Sequence, residues 1–261
     1  MTVWTAFRAE FHKAVSLPGV RAGLVLTLLG SIALTLLNAF SVRAALDAGR
    51  HDVLAGTSPA ETAFAAMPLG TVGAVVIGVL VIGSEYTTNS PDAGGGRQIT
   101  TTLAAVPRRA TLLASKVCTV ILLVLTLGAS TLPATLVVAR AVTGDSATEH
   151  LSLGDMVVRC LGGTTYWVLT GLLALAITVL ARSVLVPLVI LIANSSLVSF
   201  SLLLTALTPL AHWLPDLAGR RLLGLDTVDG GLAALPGTVV MAGWALLLLV
   251  VAGAVLARRD A

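Results

Sequence analysis

Six stretches of about twenty mostly apolar residues, set apart by short polar segments, constrain this chain more than any other feature: 22–40, 64–84, 117–139, 156–181, 183–207 and 236–257. A helix rises about 1.5 Å per residue, so about twenty such residues cross a hydrocarbon core about 30 Å thick. Inside lipid every backbone N–H and C=O must find its partner within the segment, which makes a helix the form open to a single run. Soluble domains carry about 25% charged residues, whereas this chain is 56% hydrophobic and 11% charged. The expected fold is therefore one all-α integral membrane domain over residues 1–261, with six transmembrane helices. The fourth and fifth spans are expected to meet in a very short turn at Ala181-Arg182-Ser183. The first run starts after Arg21 and lacks a small-x-small cleavage pattern near 38–43, so it reads as a retained span.

Orientation follows from Lys and Arg in the short loops. With six spans, ten of the sixteen basic residues fall on the side of the termini and of the segment between spans two and three, and six fall on the other. Both termini are thus expected in the cytoplasm of a multi-pass cell-membrane protein. The net charge of +3 does not signal nucleic acid, because the basic residues are scattered over loop ends with no aromatic-interleaved groove. Ahead of span one, VWTAFRAEFHKAV sets Trp4, Phe7, Phe11 and Ala14 at helical spacing, as expected of an interfacial amphipathic helix. Pro18-Gly19 then turns the chain into the bilayer. Cys118 and Cys160 are expected near opposite faces, too far apart for a disulfide.

Catalytic patterns are missing. His12, His51, His150 and His212 are far apart and outside the hydrocarbon, and no His-Glu-x-x-His pair occurs. Ser130, in Gly128-Ala129-Ser130, has no histidine in any span to act as its base, so a small-residue packing patch is the better account. Gly94-Gly95-Gly96-Arg97 lacks the rest of a phosphate loop. No metal, cofactor or catalytic residue is expected in this chain. Asp, Glu, Lys and His are also missing from the middles of the spans, where ion-driven carriers commonly place them.

The segment between spans two and three is the longest polar stretch on the basic side. Gln98 to Ala105 can form a short helix with Ile99, Leu103 and Val106 near one face, and Pro107 suits the first position of the next helix. Arg108, Arg109 and Lys116 are expected at the inner headgroup level, with Glu85 able to pair with one of them. The series Gly83-Ser84-Glu85-Tyr86, then Ile99-Thr100-Thr101-Thr102-Leu103 with Pro107-Arg108-Arg109, then Lys116, resembles the glycine-x-Glu-Tyr, threonine-leucine, Pro-x-Arg and lysine series of type-2 ABC transporter permeases. Residues 89–98 depart from that pattern as an insertion.

The resemblance implies the membrane-spanning subunit of an ATP-driven exporter, with a cytoplasmic coupling helix in this segment. Glu85, Ile99, Leu103, Val106, Pro107, Arg108 and Arg109 are then the residues that meet or transmit from the ATPase. The implied partners are two copies of a separate ABC ATPase subunit, which carries the ATP and Mg, a second permease copy as homodimer or related heterodimer, and membrane lipids. Spans two and five are implied to line a central route, with Asn194, Ser195 and Ser196 exposed to it; for any one of the three residues taken alone, interhelical hydrogen bonding is the slightly better account. The apolar route suits a hydrophobic or amphipathic cargo such as a drug, lipid or peptide, and a role in drug or antibiotic resistance. Two other readings stay open on the residues: an ion-coupled secondary carrier, and a non-transporting sensor or immunity component of the membrane.

Overall fold

The computed structural model describes residues 3–49, 58–87, 98–105, 108–144, 151–194, 200–224 and 230–258, with the backbone alone at 3, 101 and 103–105. Among these residues the fold is helical and contains no strand. In chain order the helices are α1 (Val3–Ser16), α2 (Pro18–Asp47), α3 (Pro59–Phe64), α4 (Met67–Gly83), α5 (Gln98–Ala105), α6 (Arg109–Thr143), α7 (Leu153–Ala181), α8 (Leu185–Asn194), α9 (Phe200–Thr205), α10 (Pro215–Ala218) and α11 (Ala234–Arg258). Among the described residues, five helical segments are long and apolar enough to cross a membrane: α2, α3 with α4, α6, α7 and α11. The chain is a multi-pass, all-α membrane protein by this measure.

The centre of the bundle is α4, which packs against α2, α6, α7 and α8. Its sequence MPLGTVGAVVIGVLVIG is apolar all round, the signature of a helix with no face left for solvent. Glycines let its neighbours close in. A Cβ built at Gly73 would lie 2.3 Å from Thr27 Oγ1 of α2, and one at Gly78 would lie 2.1 Å from the Gly171 carbonyl oxygen of α7. In lipid, where burial adds little between helices, such close packing is what holds them together. A Gly78→Val substitution is expected to destabilise the bundle by about 1–3 kcal/mol, because the obstructing atom is backbone and cannot rotate away. Thermal unfolding in lipid nanodiscs measures it, and an unshifted midpoint would contradict this packing.

The ends of the helices follow local chemistry. Ser58 and Glu61 form a capping box at α3, with Pro59 at its first position. Ser152 caps α7 by accepting from the Asp155 N–H at 3.1 Å. Arg182 ends α7 in the left-handed region (φ 50°), so the chain turns straight into α8, as the short Ala181-Arg182-Ser183 turn predicts. On α2 and α11 the outward faces carry exposed Leu26, Leu29, Leu37, Val239, Leu246 and Val250, the surface expected toward lipid.

The predicted fifth span, 183–207, is not one long helix. It comprises α8, about 15 Å long, and the six-residue α9, on either side of residues 195–199, which lie outside the described set. The Asn194 side chain ties the end of α8 to the first turn of α9: the Ser201 N–H donates to Asn194 Oδ1 at 3.3 Å, and Asn194 Nδ2 donates to Ser201 Oγ at 3.3 Å. Asn and Ser side chains compete with the helical backbone for its partners, and the apolar count over 183–207 hides that competition. After α9 the chain forms two short 3-10 turns, Pro209–Trp213 and Arg220–Leu223, around α10. Leu217, Ala218 and Leu223 of this segment are buried, and it packs on α7 and α11 at the end of the bundle opposite α5.

Candidate functional site: a buried ion cluster beneath α5

Four charged side chains meet where α1, α4, α5 and α6 converge. Lys116, two turns into α6, lies on the buried stripe that includes Leu112, Thr119 and Leu123. Its ammonium donates to Glu10 Oε2 at 2.6 Å, to Glu85 Oε1 at 2.8 Å and to the Val81 carbonyl at 3.0 Å, which uses all three of its donors. Glu85 stands in the 3-10 turn Ser84–Tyr86 that ends α4 and turns the carboxylate inward. Lys13 of α1 donates to the same Oε1, and Thr102 of α5 donates to the other oxygen, Oε2, at 2.7 Å. Lys116 and Glu85 have no exposed surface and Glu10 has 6%, so water does little of the solvation.

Two ammonium and two carboxylate groups balance in charge. Such a cluster carries a desolvation cost of several kcal/mol per ion, which its own hydrogen bonds must offset. Its structural effect is to weld the N-terminal helix, the end of α4, the short α5 and α6 into one body. The loop around it is closed as well: the Gln98 N–H donates to the Thr87 carbonyl at 3.1 Å. The Glu85-Tyr86 and Ile99-Thr102 stretches are therefore adjacent in space, although residues 88–97 separate them in sequence.

The residues singled out from the sequence are placed as follows. α5 spans Gln98–Ala105, the range expected for the short helix. Ile99 is buried in the bundle and anchors α5, while Thr100 is exposed. Leu103 lies within α5, but its side chain is outside the described residues, as are Val106, Pro107, Ser195 and Ser196. The helix expected to start at Pro107 begins at Arg109, with Arg108 exposed as its N-cap in extended backbone. Arg109 Nη1 donates to the Leu256 carbonyl at 2.7 Å and so caps the end of α11, where a cation is favoured. Lys116 corrects an expectation: it faces Glu10 and Glu85 inside the protein and is not at the lipid headgroups, because its position on α6 falls on the buried stripe.

Glu10 and Lys13 were not anticipated. The aromatic spacing of α1 pointed to an interfacial helix with Trp4, Phe7, Phe11 and Ala14 on its apolar face; the three rings follow one another along the helix at 5.5 and 6.1 Å between centroids, Trp4 is 65% exposed, and Phe11 and Ala14 pack against the core. The face that packs on the bundle is Ala6, Glu10 and Ala14. The usable signal was a lone acid flanked at four-residue spacing by alanines, which admits a close helix approach.

A second polar group lies at the other end. Asp216 of α10 borders a cavity of about 60 Å³ with Thr71, Tyr166, Thr170, Asn194 and Met241. Burial pushes the Asp216 carboxyl above its ordinary range, while hydrogen bonds from Ser201 and Asn194 pull the other way. A native state that holds the proton more tightly than the unfolded chain gains stability below the ordinary carboxylate value of about 4 and loses it as pH rises through the raised value. Asp216→Asn is expected to unfold at a higher temperature than the native protein at neutral pH, with the difference vanishing toward pH 4. Unfolding midpoints of both proteins across that range check it, and a difference that grows toward acid would contradict it.

Among the described residues no cluster of three or more His, Cys, Asp or Glu side chains could hold a metal ion. The Ser130 hydroxyl is back-bonded to its own helix, to the Thr126 carbonyl at 2.9 Å and the Leu127 carbonyl at 3.0 Å, and Gly128 packs closely on Thr164 of α7, as a packing patch requires. Cys118 and Cys160 are free thiols. A scan against protein-family models finds no match to this chain, and a search of the curated proteins finds none.

Proposed function

We propose that this chain is the permease subunit of an ATP-driven ABC exporter, acting as a pair of six-span subunits with both termini in the cytoplasm, on a hydrophobic or amphipathic substrate. The observation that supports this reading most is the ion cluster. A force applied to α5 reaches α4 through Thr102 and Glu85, and α1 and α6 through Lys116, without first compressing a soft contact. That is what a coupling helix needs if a nucleotide-hydrolysing subunit is to move the central helix of the bundle. In this reading α8 and α9 together make the fifth crossing, between α7 and α11, α10 and its flanking turns cap the route from outside, and ATP and Mg are held by the ATPase. Asn194 faces the cap through Ser201 and Asp216.

Asp216 supports a second reading, an ion-coupled carrier, since it is a partly buried carboxylate bordering a cavity between α4, α7 and α11. Purification in mild detergent separates the two. The exporter reading expects an equimolar phosphate-loop ATPase to co-elute, with ATP hydrolysis that depends on the complex. A chain that purifies without such a subunit, and whose transport stops when the ion gradient is collapsed with ATP intact, favours the carrier.

A further inference from the structure

An apolar groove of about 440 Å³ opens on the flank of the bundle between α6 and α7, with α3 at its upper edge. Its walls include Pro133 and Val137 of α6 and Met156, Val157 and Cys160 of α7, and Arg140 stands at its rim. The volume lies within the range of small-ligand sites, about 300–1,000 Å³, which are mainly apolar with a few polar groups that fix orientation.

Depth tells what the groove faces. The midpoint of α6 is near residue 126, and at about 1.5 Å per residue Pro133 lies about 10 Å from it and Arg140 about 21 Å. With α6 upright and centred, a hydrocarbon half-thickness of about 15 Å, with headgroups to about 20–22 Å, puts the inner end of the groove among acyl chains and Arg140 among phosphates. Leu153, a further wall residue at the first position of α7, is 78% exposed at about the headgroup depth. An apolar surface there is mismatched to polar headgroups unless a chain covers it. Arg140 has no ion-pair partner among the described residues, and its planar guanidinium suits a phosphate.

We propose that this groove binds one anionic phospholipid, with the upper part of an acyl chain along Val137 and Val157 and its phosphate paired with Arg140. The site stands apart from the transport reading and holds whichever power source drives the protein.

The two cysteines supply the test. Cys160 lines the groove, and Cys118 is exposed on the other half of α6, so their maleimide alkylation rates in the detergent-purified protein report the groove against an internal reference. One basic residue near a surface attracts anionic lipid by about 1 kcal/mol, which is about fivefold in binding. Added phosphatidylglycerol is expected to protect Cys160, relative to Cys118, at about fivefold lower lipid concentration than phosphatidylcholine with the same chains. Arg140→Gln is expected to abolish that difference without shifting the unfolding midpoint. Val157→Trp, which fills the groove, is expected to reduce phosphatidylglycerol retained in native mass spectrometry about tenfold. Equal protection by both lipids in the native protein, or a preference that survives Arg140→Gln, overturns the proposal. So does protection of Cys160 without lipid that grows with protein concentration, since a second copy of the chain would then be the occupant.

Discussion

Replacing Lys116 by methionine is expected to cost about 3–5 kcal/mol, the range found when one partner of a buried ion pair is removed and the other is left behind. The loss leaves Glu10 without its ammonium and Glu85 with Lys13 and Thr102 alone. The double variant K116M/E10L removes one charge of each sign and retains the Lys13–Glu85 pair, so it is expected to recover most of the stability, as apolar replacements of whole buried pairs do. Equilibrium unfolding in lipid nanodiscs measures both. A single variant within about 1 kcal/mol of the native protein would mean that these ions are solvated by water. In the exporter reading, the same single variant is also expected to let ATP hydrolysis continue while transport falls, because α5 and the end of α4 are no longer fastened to α6.

Truncating Trp167 to alanine is expected to be about as damaging, about 3–5 kcal/mol, the usual cost of emptying a buried aromatic site. The ring is fully buried on α7, its Nε1 donates to the Met67 carbonyl at 3.2 Å, and Gly70 of α4 is the glycine that makes room for it, since a Cβ there would lie 1.9 Å from the ring. Trp167→Phe keeps an aromatic body and loses the hydrogen bond, worth about 0.5–1.5 kcal/mol. It is expected to fall between the native protein and the alanine variant. Equal losses in the two variants, measured by detergent-driven unfolding from mixed micelles, would contradict a role for the ring in the seam between α4 and α7.

What the sequence made legible and what it hid have physical reasons. Long apolar runs are read reliably because lipid demands internal hydrogen bonding over the whole span, and α2, α6, α7 and α11 lie within a few residues to about eight of the expected limits. The short α5 was also foreseen, from the apolar spacing of Ile99 and Leu103 ahead of Pro107. The division of residues 183–207 into α8 and α9 was hidden because hydropathy counts side chains one by one. It takes no account of the Asn194 side chain accepting from the Ser201 N–H. The site was half visible: Glu85 was expected to find a basic partner, and Lys116 is one. Glu10 and Lys13 escaped because aromatic residues dominate the pattern of α1, whereas burial there follows the small residues that let helices approach. Asp216 escaped because a polar stretch between spans says nothing about how deeply it folds back on α7 and α11.

The measurement that tests the account most directly is photo-crosslinking in intact cells from Thr100, the exposed position of α5. With a photo-reactive side chain at that position, the account predicts a covalent adduct with a cytoplasmic ATPase that contains a phosphate loop, lost when Leu103 and Val106 are both changed to aspartate. Adducts formed only with lipid or with another copy of this chain, or reaction of the same position with a reagent that cannot enter the cell, would contradict it.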